Sequence, residues 1–457
     1  MGCRRAPPPR GRLDLSQLIE GFAGTTEKTG EQPTRVRFVV LASLCAVSLV
    51  TYIDRVGFAT GAPYLKKDLG LSDEQMGYLL STFFWAYGGF QILGGWLGDR
   101  LGSRHLLTIL VLGWSLTTGA LALVVYVPGF QAQLWYLIAL RFLFGVFQAG
   151  GFPVLSRINA DWMPVTTRGM SQGLIWMSSR IGGALIPLAL VPMFAAFGTW
   201  RTPFWILAGV GVVWCTAFWP WFRDTPEEMP QANAAERKLI TAGRAHRAAG
   251  AYSVPWSRLF ASRSAWCLCL AYGFGGFASN FFVGWLPTYL SDHRHLSDSD
   301  TKLLTSLPLA FGVVACISGG VLSDWIIRRT GSRSWGRRIN GSIGMAMAAA
   351  ALGSTVWVES VPLLAFLLCL TFVCNDVAMG PAWAACADIG EQAAGTLGGA
   401  MNMMSNIGGA VSALVAGYLF GHGHPSWVFV IFSCCYALAS LSWLGVDASK
   451  PLTAATE

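Results

Sequence analysis

GGWLGDRLGSR occupies residues 94–104, and GGVLSDWIIRRTGSR occupies residues 319–333. Both open with paired glycines, place an aspartate five residues on and close on Gly-Ser-Arg; Asp99 and Asp324 stand 225 residues apart. A second pair, SRIGGA at 179–184 and SNIGGA at 405–410, repeats at an offset of 226. Two matches at nearly one spacing mark a duplicated plan, which is sought before any local reading.

Hydropathy tells what the repeated unit is made of. Of 457 residues, 53% are hydrophobic and 12% charged, a balance suited to lipid rather than water. Runs long enough to cross a hydrocarbon core, about 20 apolar residues each, recur along the chain. With their Gly and Pro breaks they predict helices near 37–57, 76–97, 105–127, 134–155, 168–194 and 203–222, then 264–290, 302–325, 339–357, 360–385, 395–420 and 427–446. Equivalent positions are separated by an even number of crossings, so both halves enter the membrane in the same direction, a parallel repeat. The expected fold is therefore an all-α membrane protein of twelve transmembrane helices in two six-helix lobes related by a parallel pseudo-two-fold. The N-terminal lobe spans 35–222, a cytoplasmic linker 223–262 and the C-terminal lobe 263–446. Residues 1–34 read as a disordered basic tail and 447–457 as a second short tail.

Charge sets the orientation. With the N-terminus inside, the cytoplasmic segments carry 24 Lys and Arg and the opposite side five, the asymmetry that positive-inside insertion produces. Both termini are expected in the cytoplasm and the chain in the cell (inner or plasma) membrane, as a monomer. The net charge of +8 is mostly this topology signal and supplies no basic face for nucleic acid. No HExxH or GxSxG motif suggests an enzyme, and no appended output domain suggests a sensor. The 11 cysteines include no CxxC pair and read as small buried hydrophobes. The pairs His293/His295 and His422/His424 lack acids or thiols to complete a metal site; no metal or cofactor is expected.

The repeated loop motif suits a hinge. Close glycines such as Gly95 let helices approach, and an aspartate can pair with arginines or cap a helix N-terminus. Gly95, Asp99, Arg100, Gly102, Arg104 and Asp324 are thus the gating candidates. Three arginines, Arg55, Arg141 and Arg180, remain inside the spans. A charge at mid-membrane costs about 2.5–3.5 kcal/mol on insertion scales and needs a partner or a wet cavity. Few acids accompany them: Asp54, beside Arg55, and Asp376, which is either a proton site or a structural contact. Three cations against two acids favour an anionic solute, whose carboxylate fits the guanidinium fork. Arg141 and Gln148 share a face of the fourth span, and Asn402 and Asn406 one of the eleventh. Arg55 and Arg141 serve either solute binding or structure, by snorkelling or by pairing with Asp54.

With TYIDR (51–55), FFWAYGGFQILGGWLGDRLGSR (83–104), RFLFGVFQAGGFP (141–153), RDTPEE (223–228), FFVGWLPTYL (281–290) and GTLGGAMNMMSNIGGAVS (395–412) in order, the sequence resembles the major facilitator superfamily over 37–446. More narrowly it resembles that superfamily's anion:cation symporters. The resemblance implies alternating-access import of a small organic anion, a sugar acid such as a hexuronate, aldonate or aldarate, with a proton as co-substrate. It makes Arg55 the carboxylate contact and Tyr52 and Tyr87 cavity tyrosines, which are otherwise core aromatics; since a solute sits between the lobes near mid-membrane, Asn402, Asn406 and Trp285, the last of which otherwise serves packing, extend the site into the second lobe. Two departures stand out. Many members have Glu where this chain has Gln148, and an amide does not titrate. This leaves Asp54 as the proton carrier, or else makes the chain an exchanger or uniporter. Arg180 stands where relatives commonly present a neutral residue; together the two changes make the cavity more attractive to a dianion.

Overall fold

The computed structural model describes residues 32–71, 73–242, 256–286, 289–290, 294, 296, 298–422 and 424–452. The tail up to residue 31 and the His293/His295 pair lie outside the described residues. The N-terminal lobe holds α1 (Val36–Leu69), α2 (Asp73–Leu101), α3 (Ser103–Ala120), α4 (Phe130–Ala149), α5 (Gly151–Trp162), α6 (Arg168–Phe197) and α7 (Arg201–Trp221). Two short helices follow, α8 (Ala234–Thr241) and α9 (Trp256–Ala261). The C-terminal lobe holds α10 (Arg263–Gly284), α11 (Asp298–Thr330), α12 (Arg333–Ser354), α13 (Val361–Val377), α14 (Met379–Gly390), α15 (Ala394–Gly421) and α16 (Pro425–Leu444). No strand occurs among the described residues.

Among the described residues, ten spans are long and apolar enough to cross a membrane. The helices α2, of 29 residues, and α10, of 22, bring the number to twelve. The fourth and tenth spans are each two helices end to end, α4 with α5 and α13 with α14. Both breaks fall just before a proline, Pro153 or Pro381, which lacks the N–H that would continue the ladder. Large apolar side chains such as Trp85, Val213, Phe366 and Leu441 face outward, as a lipid solvent requires and water would not tolerate over so wide a surface.

The repeated glycines do the same work in each lobe. A Cβ on Gly182 of α6 would meet the Leu49 carbonyl oxygen of α1 at 2.5 Å; on Gly408 of α15 it would meet the Gly273 carbonyl oxygen of α10, also at 2.5 Å. Only glycine lets these helix pairs come so close. Between lobes, α2 packs on α15 and α6 on α11.

The linker is not a bare loop. Glu236 of α8 is fully buried and accepts hydrogen bonds from Thr34 Oγ1 (2.5 Å), Val36 N (2.9 Å) and Arg37 N (3.0 Å), with Arg37 Nη1 at 3.2 Å. A carboxylate thus satisfies the orphan donors at the start of α1, and Thr34, expected in a disordered tail, is anchored.

Candidate functional site

The site is layered from one end of the bundle inward. The basic end carries Arg100, Arg104, Arg157, Arg168 and Arg337, and there the lobes are locked together. Asp99 accepts from Gly395 N (3.1 Å), Thr396 N (2.7 Å) and Thr396 Oγ1 (2.6 Å) of α15, while Arg157 Nη1 lies at 2.8 Å. Asp324 accepts from Gly169 N (3.2 Å) and Met170 N (2.7 Å) of α6, with Arg337 Nη1 at 2.6 Å. Each lobe's motif aspartate caps a helix of the other lobe. Glycine is required at both crossings: a Cβ on Gly95 would stand 2.0 Å from the Gly395 oxygen, and one on Gly320 2.2 Å from the Gly169 oxygen.

The rest of the motif works elsewhere. Gly102, at φ +85°, leaves room for Asp224, which accepts from Arg104 N at 2.7 Å; Arg104 Nε and Nη2 donate to the Trp219 carbonyl at 2.9 and 2.7 Å. These residues tie the α2–α3 turn to the end of α7 within one lobe. Arg100 is exposed and lies over Trp96. The cations paired with the carboxylates at this end are Arg157, Arg168 and Arg337, with Asp388 bridging the last two at 2.6 and 3.2 Å. Sequence reasoning filed all three arginines as loop charges. Their signal lies in the two helices that begin or end beside them, which hydropathy does not locate.

One turn deeper sits an aromatic floor that the sequence reading missed. Phe152 stacks on Trp176 (centroids 4.3 Å apart, planes 8° apart), and both touch Trp383 of the other lobe, at 6.2 and 5.9 Å. Phe152 and Trp176 lie four residues toward the basic end from Gln148 and Arg180, about 6 Å along an α-helix. Trp383 Nε1 donates to Tyr272 Oη at 2.9 Å, which places Tyr272 of α10 on the same wall.

A polar layer lies above this floor. Arg55 has its guanidinium over Tyr87, Tyr52 and Phe83, at 4.4, 5.0 and 5.2 Å. Its Nε donates to Gln148 Oε1 at 3.1 Å, while Gln148 Nε2 donates to the Thr51 carbonyl at 3.0 Å. Arg55 Nη2 is buried with no hydrogen-bond partner. From the other lobe, Asn402 Nδ2 donates to Tyr87 Oη at 3.1 Å and Asn406 Nδ2 to the Asn402 carbonyl at 2.7 Å. Arg180 reaches across to Asp376 at 3.2 Å. Trp285 is further out, past the end of α10, packed on Phe420 at 5.4 Å.

Asp54 and Arg141 turn away from this layer. Successive residues of a helix point about 100° apart, so Asp54 cannot follow Arg55 into this layer and no ion pair joins them among the described residues. Asp54 instead faces a closed pocket inside the N-terminal lobe with Phe58, Thr117 and Arg141. Neither of its oxygens has a hydrogen-bond partner; the Trp114 indole faces it without closing one. Arg141 lies 3.9 Å from the centre of the Phe58 ring, near Phe83 and Phe144, and its Nε donates to the Leu79 carbonyl at 3.4 Å.

Known proteins share this architecture. The profile of the Major Facilitator Superfamily matches residues 44–413. A probable sulfoacetate transporter of Cupriavidus necator is 33% identical over 91% of this chain and 95% of its own length. A probable galactarate/D-glucarate transporter of Escherichia coli is 30% identical over 86% and 88%. Among solved structures, a proton:xylose symporter bound to 6-bromo-6-deoxy-D-glucose superposes with a TM-score of 0.70 at 16% identity, over 91% of this chain and 96% of that one. Two duplicated lobes, locked at one end by reciprocal helix caps around a polar mid-membrane layer, belong with these relatives: the chain is a member of the Major Facilitator Superfamily, a multi-pass membrane transporter and not an enzyme.

Proposed function

We propose that the protein carries a small organic anion across the cell membrane by alternating access, with a carboxylate or comparable acid group bound at Arg55. The observation that carries this reading is the Arg55 guanidinium, set among three aromatic rings between the lobes with Nη2 unmatched. Cation–π contacts offset part of its desolvation, about 0.5–2 kcal/mol each. They do not satisfy an N–H, whereas an acid oxygen does so with a charge-assisted bond. Tyr52, Tyr87, Asn402 and Asn406 are the neighbouring hydrogen-bonding groups for the rest of the solute. Trp285 sits toward its entrance. The relatives named for sulfoacetate and for galactarate and D-glucarate support the choice of anion. The positive-inside rule puts the basic end in the cytoplasm, so the conformation described is closed to that side.

Proton coupling, in this reading, falls to Asp54. Among the described residues it is a buried acid of the N-terminal lobe with no hydrogen-bond donor on either oxygen, free to change protonation state as the lobe moves. Gln148 is the opposite case. Its oxygen accepts from Arg55 and its nitrogen donates to Thr51, so it occupies the position as a protonated carboxyl would and stays that way at every pH. That fixed arrangement favours exchange or uniport as the second reading.

Uptake of labelled D-glucarate and sulfoacetate into proteoliposomes, with and without an inward proton gradient, tests both. Arg55→Gln is expected to weaken solute binding by about 2–5 kcal/mol. Asp54→Asn is expected to abolish gradient-driven accumulation and keep counterflow. Accumulation that survives in Asp54→Asn would remove Asp54 from the coupling, and equal counterflow with no gradient response in the unaltered protein would establish exchange or uniport.

A further inference from the structure

Arg180 of α6 and Asp376 of α13 form an ion pair between the lobes at the depth of the cavity. The other inter-lobe ion pair among the described residues, Arg168 with Asp388, lies at the basic end. The pairing is single-pronged. Arg180 Nη2 meets Asp376 Oδ1 at 3.2 Å, and Asn375 Nδ2 donates to the same oxygen at 3.0 Å. Oδ2 faces the Cys316 thiol at 3.6 Å and the backbone of Gly312, where a Cβ would come within 2.6 Å of it. Arg180 Nε is buried with no hydrogen-bond partner. The guanidinium side chain keeps 18% of its surface exposed and the carboxylate none. Arg180 thus keeps an exposed edge, with Asp376 buried behind it.

This asymmetry suits exchange of one acid group for another. A planar guanidinium binds a carboxylate best through two parallel bonds, and here Nη2 alone meets the carboxylate while Nε is unmatched. A solute acid group that displaces Asp376 can bond Nη2 and Nε together. Asp376 loses less than a stranded carboxylate would, since Asn375 already donates to it.

We propose that Asp376 is an internal stand-in for the second acid group of the solute: it holds Arg180 while the carrier is empty and yields it to a dianion whose other acid group lies on Arg55. The inference rests on the reading of Arg55 as the first acid-group contact and names the solute class as a small dianion. A monoanion engages Arg55 and leaves the pair intact. A dianion breaks the mid-membrane charge tie between the lobes as it loads and restores it as it leaves, so the tie is cut only in the loaded carrier.

D-Glucarate and D-gluconate share a six-carbon chain and differ in having two acid groups or one; sulfoacetate and acetate form a shorter pair. Binding of all four to the purified full-length chain, read by calorimetry, is the test. The unaltered protein should bind each dianion at least ~10-fold more tightly than its monoanion, a difference of one decade in Kd. Arg180→Gln should erase that preference and leave D-gluconate binding within ~2-fold of the original. Asp376→Asn should tighten D-glucarate binding by ~10-fold and leave D-gluconate unmoved. Should the latter variant fail to fold, Arg180→Gln with Asp376→Asn removes both charges together and must show no preference. A dianion preference that survives in Arg180→Gln or in the double variant overturns the proposal, as does D-glucarate binding that Asp376→Asn leaves unchanged. Binding that ignores Arg55→Gln would fault the reading of Arg55 and with it the two-point dianion, whereas a dianion preference that Arg180→Gln leaves intact while Arg55→Gln weakens all four would fault only the role of Arg180 and Asp376. If none of the four anions binds the unaltered protein, that reading fails and this inference with it.

Discussion

At the basic end, Asp99 of α2 receives two backbone N–H groups from the first turn of α15, and Asp324 of α11 receives two from the first turn of α6. The distances nearly coincide, 3.1 and 2.7 Å against 3.2 and 2.7 Å. The side chains around them do not. Asp99 gains the Thr396 hydroxyl where its counterpart faces Met170, and its cation Arg157 comes from its own lobe with Asp161 as a second carboxylate at 2.8 Å. Asp324 gains Arg337, which also holds Asp388, and Asp388 in turn holds Arg168 of the opposite lobe. Duplication has kept the part made of backbone, because a helix N-terminus needs an acceptor whatever the sequence. The charges have diverged. Opening the α6–α11 side separates a buried ion pair between lobes; opening the α2–α15 side breaks only hydrogen bonds to a carboxylate.

That difference is breakable. Arg337→Gln leaves two buried carboxylates short of their shared cation and is expected to cost about 3–5 kcal/mol, read as a fall in the thermal midpoint of the purified protein. Arg157→Gln should cost less, about 1–3 kcal/mol, since Asp99 keeps three donors from α15. Equal losses would mean that the two caps are energetically one design. Gly95→Ala and Gly320→Ala each drive a methyl into a carbonyl oxygen across the interface and should disfavour the closed basic end by about 1–3 kcal/mol. Spin labels at the exposed positions 100 and 329 would report the separation as a longer distance population. Thr396→Val removes a hydroxyl donor and should weaken the α15 cap by about 1 kcal/mol; Met170→Thr, its mirror, tests whether the α6 cap can be made to match. Arg100→Gln, on an exposed cation outside both caps, should stay within about 0.5 kcal/mol in the same melt.

The sequence revealed the plan of the molecule better than its contacts. Hydropathy marked twelve spans, and among the described residues helices stand at all twelve, ten of them long and apolar enough to cross a membrane, because lipid demands long apolar runs whatever a helix packs against. It carried the first span from 37 to 57, whereas α1 continues to Leu69, since a helix leaving the membrane no longer needs an apolar sequence. Repeated glycines pointed to both crossings, where close approach leaves no alternative residue. Arg55, Tyr52, Tyr87, Gln148 and Asn402 converge as a group because they lie on inward faces that helical spacing defines. Tyr272, Trp176 and Trp383 escaped notice, as an aromatic in an apolar run carries no mark of which neighbour it meets. Asp54 illustrates the limit most directly: adjacency to Arg55 in sequence suggested a pair, and the 100° step of the helix sends the two side chains into different compartments.

Glu236 gives the first helix an unusual dependence on time. The N–H groups of Val36 and Arg37 are satisfied by a carboxylate some 200 positions downstream, beyond all six spans of the N-terminal lobe. At about 5–20 residues per second on the ribosome, α1 waits roughly 10–40 s between its own synthesis and the arrival of its cap. The N-terminal lobe is therefore finished by a residue made after its last span, and chains truncated before α8 emerges would release a lobe whose opening helix is still frayed.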